Sequence, residues 1–294
     1  MTPLFTGCAT ALVTPFKDGR VDFDALDRLV EAQIAAGIDG LVAAGTTGEP
    51  ATMTWEEHLE VIRRVVEKAA HRVPVIADTG SNSTAEAVEA ARFADRCGAD
   101  AQLVVTPYYN KTSQAGLIAH YNAVADAASI PVIVYNVPSR TGLNISPEAL
   151  EAICRHPKIV AVKEASADLA QNLEKIRRCG RDVTFYSGND EMVVPLMACG
   201  YAGVISVMSN MIPGLAVEMT HAALAGDMAK AGALQLKLLP LISALFCETS
   251  PIPVKAAMAK MGICGEELRL PLVPMQPANR ERLYACMRDL GLTD

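Results

Sequence analysis

Along most of the chain, short apolar runs alternate with longer stretches whose apolar residues recur every three to four positions. The runs fall at 8–14 (CATALVT), 38–43 (IDGLVA), 73–77 (VPVIA), 101–105 (AQLVV), 131–135 (PVIVY), 159–163 (IVAVK), 183–186 (VTFY) and 203–207 (GVISV). Each is almost wholly apolar, as a strand buried on both faces requires. Between them, 54–70 (TWEEHLEVIRRVVEKAA) has a helical period and opens with Thr54 and Glu57 at capping-box spacing. The stretch 83–97 opens the same way with Ser83 and Glu86. Strands each followed by a helix predict an α/β protein with a parallel sheet covered by helices, and eight such units favour closure into a (β/α)8 TIM barrel. An open doubly wound sheet would usually carry a Gly-rich dinucleotide fingerprint after its first strand, and CATALVTPF has none. The repeat ends near residue 225. The expected division is a barrel catalytic domain over 1–225 and a C-terminal helical appendage over 226–294, read as three helices with turns at 249–253 and around 262–277.

Residues 192–217 carry no charge and are long enough on paper to span a bilayer. Pro195, Gly200, Gly203, Asn210 and Pro213 break the run, so it reads as buried helix, strand and helix. Of the 294 residues 51% are hydrophobic but only 5% aromatic, so Val, Ile, Leu, Ala and Met must build the core. The net charge of −7 gives no basic footprint for nucleic acid. The N-terminus shows no signal peptide pattern. The eight cysteines are dispersed without a CxxC pair, and are expected to be buried reduced thiols in a cytoplasmic protein. His58, His71, His120, His156 and His221 lack metal-ligand spacing, so no metal site is expected. No Gly-rich phosphate cradle follows the last two strands.

In a barrel of this kind, chemistry sits at the C-terminal ends of the strands. The second run ends in GTTGE (45–49), the fourth in TPYYN (106–110) and the fifth in YNVPSR (135–140). The sixth, seventh and eighth end in VKEAS (162–166), SGND (187–190) and SVMSN (206–210). Lys163 stands out. The strand period of two puts it on the same face as Ala161, with Glu164 on the other. A lysine facing a barrel interior is either ion-paired, most simply with a glutamate, or driven towards the free amine that attacks carbonyls. The hydroxyls of Thr46, Thr47, Tyr108, Tyr109 and Tyr135 gather at the same rim, where no histidine is expected, and could shuttle protons. Arg140 could hold a carboxylate with its guanidinium fork, although an isolated loop arginine is more often a solvated charge.

These segments resemble the dihydrodipicolinate synthase and N-acetylneuraminate lyase family of class I aldolase barrels. The likeness runs from GCATALVTPF to PIPVKAAMAKMG at 251–262. It implies condensation of pyruvate, held as a Schiff base on Lys163, with L-aspartate 4-semialdehyde in lysine and diaminopimelate biosynthesis, without a cofactor. It implies a proton relay of Thr46, Tyr109 and Tyr135, with Tyr109 reaching in from a neighbouring subunit of a homotetramer. Arg140 would bind the semialdehyde carboxylate, Thr47 the pyruvate carboxylate, and Ile205 and Gly188 would line the pocket. A lysine effector site would involve Ala51, His58, Asn82, Glu86 and Tyr108. Trp55 and Pro50 depart from the His and Ser common in lysine-sensitive members, so weak or absent feedback is expected. Two further departures are Asp78, where Gly is common, and Ser113. The sialic acid lyases usually carry GSTGE and lack the arginine, so Thr46 and Arg140 favour the synthase branch. A lyase of the same family acting on a longer 2-keto acid, and a barrel that binds ligand without catalysis, remain the alternatives.

Overall fold

The computed structural model describes residues 2–294. The strands are β1 (Gly7–Ala11), β2 (Phe16–Lys17), β3 (Arg20–Val21), β4 (Gly40–Ala43), β5 (Val75–Asp78), β6 (Ala101–Val105), β7 (Val132–Asn136), β8 (Ile159–Glu164), β9 (Thr184–Ser187) and β10 (Gly203–Ser206). β1 and β4 to β10 form a closed, all-parallel barrel in chain order, with β10 returning to β1 through Gly7↔Gly203 and Ala9↔Ile205. All eight apolar runs of the sequence fall on barrel strands. The antiparallel pair β2–β3 is an addition that the pattern did not foresee, because two residues per strand are too few to show a period.

The helices are α1 (Phe23–Ala35), α2 (Trp55–Ala69), α3 (Thr84–Arg96), α4 (Gln114–Ala127), α5 (Pro138–Thr141), α6 (Pro147–Ile153), α7 (Leu169–Cys179), α8 (Val193–Ala198) and α9 (Pro213–Leu224), followed by α10 (Met228–Leu245), α11 (Ile252–Lys260) and α12 (Pro277–Asp289). Local rules set several boundaries. Thr54 and Glu57 form the full capping box of α2, with Glu57 N–H donating to Thr54 Oγ1 at 3.2 Å and Thr54 N–H to Glu57 Oε2 at 3.0 Å. Ser83 caps α3, but the box expected there stays open: the Glu86 carboxylate accepts from Ser81 Oγ at 2.7 Å instead. Ser113 is the N-cap of α4 and accepts from Gly116 N–H.

The core has two shells, because strand side chains alternate. On β7, Ile133 and Tyr135 point into the barrel with Ile76, Leu103, Ala161 and Ile205. Val132 and Val134 point outward against the helices. Phe5 and Tyr186 stack face to face at 4.2 Å within the inner shell. The uncharged segment divides into α8, β10, a 3₁₀ turn at Met208–Asn210 and the start of α9. By length and composition alone α10 could cross a membrane; here Leu238, Leu241, Ile242 and Leu245 bury one face of it in the same apolar cluster as α9 and the outer face of β1. All eight cysteines are free, but only Cys8 and Cys179 are buried, and Cys199 is exposed. The expectation of generally buried thiols fails because Cys97, Cys154 and Cys199 sit at the C-terminal ends of helices and Cys247 and Cys264 in loops, where cover is partial or absent.

Glu164 ties three strand ends together. Facing out of the barrel and fully buried, its carboxylate accepts from Lys175 Nζ at 2.7 Å, Asn136 Nδ2 at 2.9 Å and Ser166 N–H at 2.8 Å. Its carbonyl accepts from Gly188 N–H at 2.7 Å. A buried charge stripped of its partner is costly. Lys175→Ala is therefore expected to destabilise the fold by about 3–5 kcal/mol in chemical denaturation; a loss below about 1 kcal/mol would show the pair to be effectively solvated.

Candidate active site

β8 carries Ala161 and Lys163 into the barrel and Glu164 out of it. Lys163 is 6% exposed, and its Nζ lies 4.1 Å from the centroid of the Tyr135 ring, on the strand with which β8 pairs (Tyr135↔Lys163). Among the described residues no carboxylate lies within ion-pair distance of it. The buried Lys–Glu pair considered from sequence exists, but it joins Lys175 to Glu164 on the outer face. Lys163 is thus a buried amine with a cation–π neighbour and an opening to a cavity.

That cavity has a volume of about 500 Å³ at the C-terminal mouth of the barrel. Thr46, Thr47, Tyr135, Arg140, Lys163 and Gly188 all line it. Six of the candidate residues, read from four separate strand ends, are therefore brought together. Gly188 supplies room: a Cβ there would stand 2.7 Å from Ala165 Cβ and 3.2 Å from Lys163 Cε. Arg140, on α5, donates from Nη2 to the Ser250 carbonyl at 2.9 Å, which orients the guanidinium at the rim. Ser250 and its neighbours Glu248 and Thr249 also line the cavity, so the C-terminal segment completes the mouth.

The loop that presents Thr46 and Thr47 is a 3₁₀ turn, Thr46–Gly48, flanked by left-handed residues Ala44 (φ 53) and Glu49 (φ 59). Gly48 is required by space, since a Cβ would meet Thr14 Oγ1 at 3.0 Å and Leu12 O at 3.2 Å. Glu49 anchors the turn through a buried ion pair of 2.5 Å with Lys255 on α11. Lys255 also lies 4.2 Å from the Phe16 ring centroid and donates to the Glu267 carbonyl. Burial pulls its pKa down, against the pull of Glu49 upward. The sequence reading missed this clamp, although a lysine inside the apolar helix IPVKAAMA was a visible signal for it.

Three expected residues stand elsewhere. Tyr109, at φ 66, is 91% exposed and points away from the cavity of its own chain. Among the described residues no hydrogen bond joins Thr46, Tyr109 and Tyr135. Ile205 packs one step deeper in the barrel, where Val207 takes the lining position. Asn82 is outside a second cavity of about 770 Å³ that Ala51, His58, Glu86 and Tyr108 line together with Pro50 and Trp55. His58 also corrects the expectation of a rim without histidine: α2 brings its Nε2 to 2.9 Å from the Asp78 carbonyl at the end of β5. Burial lowers its pKa, so it stands there as a neutral imidazole.

Two buried carboxyls also face this region. Asp190, in SGND, accepts from the N–H groups of Val207 and Met208, and burial raises its pKa. Asp78 ends β5 and lines the second cavity, which shares Thr46, Val137 and Arg140 with the first.

A closed parallel barrel with an unpaired buried lysine, a tyrosine and an arginine around a mouth cavity defines an enzyme of the class I aldolase type. Comparison with known proteins makes the class specific. The sequence profile of the dihydrodipicolinate synthetase family matches residues 4–290, and the chain belongs to that family. It is 50% identical to 4-hydroxy-tetrahydrodipicolinate synthase of Geobacter metallireducens over 98% of this chain and 100% of that one. The structure of dihydrodipicolinate synthase from Aquifex aeolicus matches with a TM-score of 0.96 at 43% identity, covering 98% of this chain and 99% of that one. The chloride-inhibited enzyme from Acinetobacter baumannii, solved in complex with pyruvate, matches with a TM-score of 0.95 at 43% identity and the same coverage.

Gly188→Ala tests the packing around the amine. Crowding at 2.7–3.2 Å is expected to cost about 1–3 kcal/mol in stability. It is expected to reduce turnover far more, on the order of a hundredfold, in parallel denaturation and kinetic measurements. Unchanged turnover would mean that Lys163 is not held by this contact.

Proposed function

We propose that the chain is a 4-hydroxy-tetrahydrodipicolinate synthase that condenses pyruvate with L-aspartate 4-semialdehyde. The observation that carries this reading is Lys163, a buried amine without a carboxylate partner that opens on a cavity also lined by Tyr135 and Arg140. The neutral amine adds to the pyruvate ketone, the carbinolamine loses water, and loss of a methyl proton from the iminium gives the enamine that attacks the aldehyde. The proton movements need a donor and acceptor close to the amine, and the Tyr135 ring lies directly against it. Arg140, fixed at the rim by Ser250, suits the carboxylate of the aldehyde substrate. Thr47, on the Thr46–Gly48 turn, suits that of pyruvate, with Gly188 and the β10 main chain around Ile205 forming the floor.

Tyr109 completes the relay with Thr46 and Tyr135 when it arrives from a second copy of the chain; its 91% exposure leaves it free to do so. The assembly that follows is a homotetramer built from such pairs, working in the cytoplasm in lysine and diaminopimelate biosynthesis. The first domain ends near residue 225, and the helices of 226–294 act as its accessory unit, contributing Ser250 to the mouth and Lys255 to the clamp. The second cavity suits an amino acid effector, with Glu86 and His58 as polar groups and Asn82 reaching it from the partner. Trp55 fills part of its wall, edge-on to His58 at 6.1 Å, so lysine feedback is weak or absent.

Lys163→Ala should form no adduct with pyruvate and show no turnover; near-normal turnover would overturn the covalent reading. Tyr135→Phe should slow turnover by a factor of about 10²–10⁴, as expected for a lost proton-transfer group; a parental rate would remove Tyr135 from the relay. Arg140→Ala should raise KM for the aldehyde and leave pyruvate adduct formation intact, measured by steady-state kinetics and borohydride trapping; the reverse pattern would assign Arg140 to pyruvate.

A further inference from the structure

The Schiff base carries a charge that the side chains assigned above do not balance. A neutral amine, a ketone and a proton give a cationic iminium and water, so a positive charge comes to rest at Lys163 inside the barrel. Tyr135 offers only a ring face. Arg140 is itself cationic. Glu164, the carboxylate next in sequence, faces outward and is committed to Lys175. The inner shell needs another anion.

Asp78 is placed to be that anion. On β5 the alternation puts Val75 and Ala77 in the outer shell and Ile76 in the inner one. Asp78 therefore follows Ile76 into the barrel, at the mouth end of the strand. The side chain is 5% exposed. Its Oδ1 accepts from Gly80 N–H at 3.1 Å. Its Oδ2 lies against Gly45, at the root of the Thr46–Thr47 turn, where a Cβ would stand 3.7 Å away. No salt bridge neutralises it among the described residues. We propose that Asp78 is a positioning residue of the active site: its carboxylate is the internal counter-ion of the Lys163 iminium and so strengthens pyruvate adduct formation.

Asp78 is a buried group whose charge changes near neutrality. Burial pushes its pKa up to about 7, and the Lys163 charge opposes that rise. His58, behind it on α2, bonds its backbone carbonyl, and burial holds it neutral. Glu86 on α3 is bonded to Ser81. Tyr121 on α4 donates to the Val104 carbonyl, and burial raises its pKa out of range. Asp190 also senses Lys163; its Oδ2 accepts from two backbone N–H groups, its Oδ1 is buried without a partner, and burial pushes its pKa up. Tyr135, Tyr108, Arg140 and, from the C-terminal segment at the rim, Glu248 also face the mouth, with Glu89 on the wall of the second cavity and Glu49 committed to Lys255. Above about pH 7 Asp78 is an anion and supports the iminium; as the pH falls through that value the support is lost.

This inference rests on the Schiff-base reading, and the test separates the two. The protein and its Asp78→Asn variant are titrated with pyruvate between about pH 5.5 and 9, and the borohydride-trapped adduct is quantified by intact mass. The amide keeps the shape of the side chain and can retain the Gly80 contact. The expected result is a half-saturating pyruvate concentration roughly tenfold higher in the variant at alkaline pH. The variant-to-parent ratio should fall towards one as the pH drops below about 7. Asp78→Gly, equally uncharged, should follow the same curve, so the outcome does not depend on one variant folding. A raised pKa means that the ionised carboxyl destabilises the fold at high pH; Asp78→Asn should therefore melt no lower than the parent at pH 8. A ratio of one throughout, or one that ignores pH, would overturn the counter-ion role. If the parent forms no adduct at any pH, the Schiff-base reading falls and this inference falls with it.

Discussion

The position of Lys163 depends on what happens to the residue beside it. Glu164 is buried on the outer face of β8 and accepts hydrogen bonds from Lys175, Asn136 and Ser166, while its carbonyl receives Gly188 N–H. The ends of β7, β8 and β9 are thereby locked in register around one residue. Because strand side chains alternate, fixing Glu164 outward fixes Lys163 inward. It also removes the nearest carboxylate from the lysine. The same arrangement that stabilises the barrel wall leaves an amine inside it unneutralised and next to a cavity.

A second buried pair does the corresponding work on the opposite side of the mouth. Glu49 and Lys255 hold the turn that presents Thr46 and Thr47, and they tie that turn to α11. Ser250, just before α11, receives Arg140. The C-terminal helices thus set the geometry of the rim although they contribute no barrel strand. Of the three buried lysines Lys163, Lys175 and Lys255, two are paired with carboxylates on or near the wall and one opens on the cavity.

The barrel was legible because each strand is a short apolar run and each helix has a period, both local properties of the chain. All eight runs fall on barrel strands, and three helices follow the repeat, α11 beginning at Ile252 inside the turn expected at 249–253. The inward direction of Lys163 was equally local, since it needs only the alternation of β8. Residues whose placement depends on distant packing could not be read this way. His58 reaches the rim because α2 leans against the end of β5; nothing in WEEHLEV shows that. The Glu49–Lys255 clamp spans more than two hundred positions in the chain. Asp78 was visible only as an unusual residue, and its burial on the inner face at the mouth end of β5 gives it a physical meaning. The cysteines were misjudged because composition carries no information on whether each one falls inside an element, at a helix end or in a loop.

The central claim is that, of these lysines, only Lys163 is chemically available to a 2-keto acid. Borohydride reduction of the protein with pyruvate, followed by peptide mapping, tests it most directly. The account expects a single reduced adduct on Lys163, with Lys175 and Lys255 unmodified. An adduct on either of those, or none on folded protein, would contradict it.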